Sequence, residues 1–138
     1  MSFLTRYKAQ QNRQTQGDET TMRLFRISTA EEWEELQNSA ETFGGDLDQS
    51  TGCIHLSDSH QVKMVLQNFY NEREDLHLLE IDRSKLGDGL IYEAVDETNR
   101  FPHFYGPNRS FAPLLLSTVI TAEKIQFVNG EFLCSLLD

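Results

Sequence analysis

Cysteine is scarce: Cys53 and Cys134 are the two in 138 residues. That is too few for a disulfide scaffold, and the expectation is a reduced, cytoplasmic protein. Long apolar runs are also missing. No stretch approaches the ~20 apolar residues a membrane span requires. Residues 1–21 lack the continuous apolar core of about 7–15 residues that makes a signal peptide. Arg6, Lys8 and Arg13 lend that segment a trace of transit-peptide character, which Asp18 and Glu19 oppose. Basic charge is thin, with 12 Lys and Arg against 22 Asp and Glu. From residue 22 onward, nine basic side chains face twenty acidic ones. Such a domain repels duplex nucleic acid and anionic lipid at long range, so neither is expected as a partner. A basic protein fits that field through steering, and a local arginine pocket can still hold a phosphate. The histidines are His55, His60, His77 and His103. They form no His-x3-His pair and the cysteines no Cys-x2-Cys pair, so no metal site is expected. There is no G-x-S-x-G elbow, no Gly-rich phosphate loop and no internal repeat.

What is present reads as one domain over residues 22–138 behind a flexible polar tail, 1–21. "MRLFRI" at 22–27 predicts a strand. Ser28, with Glu31 as a capping box, predicts the start of a helix in which Trp33, Leu36 and Ala40 face the core. "FGGDLDQSTG" reads as loop. "CIHL" at 53–56 predicts a strand, and Ser57 or Asp58 with Gln61 caps a helix whose stripe is Val62, Val65, Leu66 and Phe69. Strands follow at 75–82, 90–95 and within "LLLSTVI", and Asn129-Gly130 predicts a type I′ hairpin. Helices early and strands late give an α+β fold: two N-terminal helices packed on a split, mostly antiparallel sheet.

Two histidine-bearing runs raise a chemical question. In "GCIHLSDSHQV", alternation puts His55 with Cys53 on one strand face, and Ser57 follows on the same face. A ring there is either a paired core histidine or a group presented at a pocket beside a helix N-terminus. In "FPHFYGP", Phe101, His103, Phe104 and Tyr105 sit in a loop, as caps on the core or as a platform for a flat ring. Arg100 and Arg109 bracket that run as candidate phosphate clamps. Glu93 shares its strand face with Ile91 and Val95, which requires either an edge position or a partner such as Arg26.

Taken in order, "RLFRI", the Trp33 helix, "GCIHLSDSHQV", "LHLLEIDRSKL", "LIYEA" and "FPHFYGP" resemble the family called domain of unknown function 952, over about residues 22–127. Tyr92-Glu93 stands where that family usually has Trp-Glu, and Cys53 where it often has Phe. The resemblance implies a fold similar to the ADP-ribosyltransferases. Those enzymes take an Arg or His from one strand, a Ser or Tyr from a second and a Glu from a later one. By that analogy Arg26 matches the first position, His55 or Ser57 the second and Glu93 the third. The implied function is an ADP-ribosyltransferase-like enzyme acting on NAD or another ADP-ribose-containing nucleotide, by transfer or hydrolysis at the N-glycosidic carbon. His55 and Glu93 would be catalytic, and Arg26, Ser57, His103 and Tyr105 ligand-binding. No cofactor is implied, since NAD enters as substrate. The competing class is a non-catalytic small-ligand-binding or protein-interaction module.

Overall fold

The structure, a computed structural model, describes residues 22–137. The tail expected over 1–21 lies outside the described residues. Strand β1, Leu24–Thr29, has five successive buried residues, so both its faces are covered. It lies in a four-stranded sheet between β4 (Ser57–Asp58) and β5 (Leu76–Ile81), with β9 (Val119–Lys124) beyond β5. On one face Phe25 and Ile27 meet Leu76 and Leu78 together with Val62, Leu66 and Phe132. On the other, Leu24 meets Leu79, Ile81, Leu36 and Leu114. Both faces being apolar, a polar side chain on β1 must find its partners inside. Arg26 is that side chain.

Helix α1, Ala30–Ser39, opens at Thr29, whose side chain accepts from the Glu32 N–H at 3.0 Å. Ser28, the expected cap, stays in the strand and bonds the Thr29 carbonyl instead. Strand β2, Glu41–Thr42, precedes the segment expected as loop, and that segment itself contains a second helix, α2, over Asp46–Thr51. Six residues are too few to display a helical period, and its start is fixed by one contact: the Asp48 carboxylate accepts from the Gly45 N–H at 2.8 Å. The box of Asp58 and Gln61 forms as expected, with Gln61 Oε1 accepting from the Asp58 N–H at 2.9 Å. It caps a 3₁₀ turn, Ser59–Gln61, ahead of helix α3, Val62–Phe69. Val62 and Leu66 turn inward, but Phe69 is 74% exposed, contrary to the expected stripe. The described residues thus hold three α-helices, one more than the apolar periodicity predicts.

"FPHFYGP" is not a loop throughout: Arg100–Phe104 is strand β7, at the centre of a three-stranded sheet between β3 (Ile54–His55) and β6 (Leu90–Ala94). Proline argues against an inner strand because it lacks a donor. Here Pro102 pairs with Tyr92 and gives its carbonyl to the Leu56 N–H at 3.0 Å, so the ladder forgoes only that donor. The run "LLLSTVI" is broken into strand β8 (Leu114–Leu115), a 3₁₀ turn and the start of β9. Strands β10 (Gln126–Val128) and β11 (Glu131–Leu133) form the expected hairpin. Asn129 and Gly130 have φ of 53° and 80°, the sign a type I′ turn demands.

All the strand pairs among the described residues are antiparallel. One parting of strands positions everything that follows. β1 pairs with β4 only at Leu24↔Asp58 and Phe25↔Ser57. Just before β4, the chain is paired with β7 instead, at Ile54↔Phe104 and His55↔His103. The two sheets diverge there, and a cleft opens beside Arg26 and Ile27. No helix among the described residues is long and apolar enough to cross a membrane.

Candidate active site

Arg26 is 6% exposed and every one of its five N–H groups is taken. Nε and Nη2 donate to the Glu32 carboxylate at 3.0 and 2.7 Å. Nη1 and Nη2 donate to the Asp48 carboxylate at 3.0 and 2.9 Å, and Nη1 also to the His55 carbonyl at 2.9 Å. Two forked carboxylates raise its pKa although burial opposes the charge. Arg26 is therefore a clamp joining β1, α1, α2 and β3. It does not reach Glu93, the partner weighed from sequence.

Asp48 carries the clamp onward. Its Oδ1 accepts from both the His55 backbone N–H and the ring Nδ1, each at 2.8 Å. Burial alone would raise the Asp48 pKa, but the bonds from His55 and Arg26 outweigh it and hold the group well below the usual carboxylate range. An ionised Asp48 can only accept, so His55 Nδ1 is the donor in that bond. Its Nε2 lies 3.5 Å from Thr51 Oγ1.

His103 repeats this arrangement on the neighbouring strand. Its Nδ1 meets Glu93 Oε1 at 2.6 Å. The same oxygen accepts from Tyr105 Oη at 2.8 Å, while Arg109 Nη2 donates to Glu93 Oε2 at 2.6 Å and to Tyr105 Oη at 2.9 Å. Burial pushes Glu93 up, but these three donors bring its pKa down to about 2. His103 itself is held below its ordinary value, because burial outweighs the pull of Glu93. It is then neutral at pH 7, with its proton on Nδ1 and a lone pair on Nε2. The two rings touch edge to face, their centroids 4.6 Å apart. The motifs "IHLS" and "FPHFYG" meet because His55 and His103 are direct cross-strand partners.

The cleft beside these rings holds about 410 Å³. Arg26, His55, Ser57 and His103 line it. Glu93 and Tyr105, expected in its wall, do not: they share the sheet face with His103 but are turned to Arg109, one side chain away from the space. Arg100 and Arg109 are likewise not on the wall, so neither is placed to clamp a phosphate there. Cys53, Glu93 and His103 bring three ligating atoms within 4.8 Å of one another, although no spacing motif announces them. Both oxygens of Glu93 already serve protein donors in that cluster. Asp48, Glu32 and the cleft-lining Leu47 were not singled out from sequence, and Phe69 and Val95 were read as an inward helical stripe and a strand face instead of cleft wall. A carboxylate that finds its arginine 22 positions away along the chain leaves no local pattern.

The ionisations share one sign. Glu93 has a folded pKa of about 2 against an ordinary 4.5. Its contribution is present above the ordinary value and is lost as pH falls toward 2. Asp48, also depressed, behaves the same way from about pH 3.9 downward. His103, depressed by burial, binds fewer protons folded than unfolded, so stability falls as pH drops below about 6.5. Urea midpoints are therefore expected to decline from pH 7 to 5 and more steeply below 4.5, with Glu93→Gln shallower in the acid limb. A midpoint that climbs on acidification would contradict this ordering of charges.

Two carboxylate-backed histidines stand beside a cleft at the parting of two antiparallel sheets in a mixed α and β domain. Residues 27–122 match the family model described as Protein of unknown function (DUF952), and the chain belongs to that family. Its structure is similar to the crystal structure of protein CC0527 from Caulobacter crescentus, at 26% identity and a TM-score of 0.71, covering 80% of this chain and 93% of that one. A double-mutant crystal form of CC0527 gives 25% and 0.71 over the same shares. Its solution NMR structure gives 25% and 0.67, over 80% of this chain and 90% of that one. No curated protein matches the chain.

Proposed function

We propose that the cleft binds a small ring-bearing ligand of the nucleoside or nucleotide type and that His55 and His103 transfer protons on it. One observation carries this reading: two touching imidazoles, each anchored through Nδ1 to its own carboxylate, on the wall of a 410 Å³ space. Histidines held in this way keep one tautomer and one orientation, which is what general acid–base work requires. The matched structures are all of CC0527 and lend no support to the ADP-ribosyltransferase fold expected from sequence; that sequence resemblance alone adds a reaction, the breaking of an N-glycosidic bond in NAD or an ADP-ribose-containing nucleotide. In that step His103 Nε2 takes the proton of the attacking water or acceptor hydroxyl as the new C–O bond forms. The departing ring leaves with the C–N electron pair. Glu93 works through His103 as a positioning residue, and contact between its carboxylate and an oxocarbenium-like carbon is not part of the reading.

A second reading has its own support. With both Glu93 oxygens occupied, the site suits a module that holds its ligand without cleaving it. Ligand-observed NMR with nicotinamide, adenosine, AMP, ADP-ribose and NAD is expected to show binding at millimolar concentration, and silence from all five would remove both readings. Chromatography of NAD after incubation then separates them: release of nicotinamide supports the enzyme, while bound but intact NAD supports the module.

A further inference from the structure

We infer that the ligand of this cleft is a neutral or cationic ring compound that carries no phosphate, a free base or nucleoside in preference to a nucleotide. The inference rests on the small-ligand reading above and narrows it: a free base or nucleoside takes the place of NAD and ADP-ribose-containing nucleotides as the ligand.

Charge on the wall is the first ground. Among the described residues Arg26 is the one Lys or Arg that lines the cleft. All five of its N–H groups are spent on Glu32, Asp48 and the His55 carbonyl, so none is left to fork onto a phosphate. The histidines do not supply the missing cation. Each already faces a carboxylate across Nδ1, so a charge gained by either ring is matched within the protein. The remaining polarity has the wrong sign. Asp96 lies on the wall. Helix α3 borders the cleft along Met64, Val65, Asn68 and Phe69, with Tyr70 just past its end, so the terminus it brings to the space is the C-terminal one, where carbonyls point outward and the helix dipole is negative. The whole chain carries a net charge of −10, which adds a repulsive field for any phosphate arriving from solution.

The shape of the apolar wall is the second ground, and it is independent of charge. Leu47, Phe69 and Val95 come from three separate segments, α2, α3 and the β6–β7 turn, and all three line the cleft. They are 61%, 74% and 54% exposed. Large apolar side chains that converge on one cavity and remain in water mark a recognition surface. Their burial by a flat ring would supply the binding energy that a phosphate clamp supplies elsewhere. The ring would lie against Phe69, with its polar edge toward His55 and His103.

The test is a calorimetric series on the full chain at pH 7.5 with adenine, adenosine, AMP and ADP, repeated at low and high salt. Adenosine is expected to bind at least as tightly as AMP, with ADP weaker by several-fold, and added salt should narrow the gaps. Tightening of several-fold with each phosphate would overturn the inference and leave the small-ligand reading standing. Absence of binding by all four would take down that reading and this inference with it. Phe69→Ala, at a solvent-facing position the fold tolerates, should weaken adenosine several-fold. Unchanged affinity in that variant would mean the ring does not lie against this wall, which also overturns the proposal.

Discussion

Replacing Arg26 by alanine should cost about 3–5 kcal/mol of stability, the range for removing one partner of a buried ion pair. The loss has little to do with the attraction that disappears. Glu32 and Asp48 have side chains only 9% and 6% exposed, and without the guanidinium two carboxylates remain desolvated against each other. Arg26→Lys should recover part of the loss, since a single ammonium restores charge but cannot fork onto two carboxylates and the His55 carbonyl together. Urea melts of the three proteins would decide the matter. An alanine variant within about 0.5 kcal/mol of the parent would show that the network contributes nothing to the fold.

On the proposed reading, His55→Ala and His103→Ala should each lower turnover of a cleavable ligand by about 10²–10⁴-fold, the usual worth of a general acid or base. The double variant should fall far short of the product of the two losses, because rings in edge contact act as one unit. Glu93→Gln offers a finer probe. The carboxylate raises the His103 pKa by its hydrogen bond, so its loss should lower the ring's titration midpoint further, an effect visible in the imidazole proton shifts. A merely structural Glu93 would alter stability and leave that midpoint in place. Independent, multiplicative losses at His55 and His103 would mean that the rings do not serve one ligand.

That His55 and His103 both belong to the candidate site was legible because each ring interrupts a short apolar run and a polar ring there needs a partner, whereas their contact follows from the register of β3 on β7. The hairpin at Asn129-Gly130 was legible because two positive φ angles leave few residue choices. Helix α2 was not, since six residues with two glycines before them show no period. Strand β7 was hidden by Pro102, whose missing donor is harmless only because of how the adjacent strands are registered. The acids behind the rings illustrate the limit best. Glu93 was visible as an odd polar residue on a strand face, but its partners Arg109 and Tyr105 depend on a turn whose Asn108 and Arg109 both have positive φ. Phe69 fits an inward helical stripe on paper, and only the parting of the two sheets, a long-range event, turns that position toward open space.

The Arg26 clamp also bears on how the molecule opens. Its five bonds end on α1, α2 and β3, so the segment that bears His55 cannot peel away while β1 stays folded. Regions that bind ligands are often drawn from the low-stability end of a protein and open locally. Here the floor of the cleft is bolted to the innermost strand, and the parts free to breathe are those at its mouth, where Leu47, Phe69 and Val95 stand in water. Amide exchange at His55, whose N–H is held by Asp48 Oδ1, thus becomes a clock for unfolding of the whole domain, and the site behaves as a rigid base under an adjustable rim.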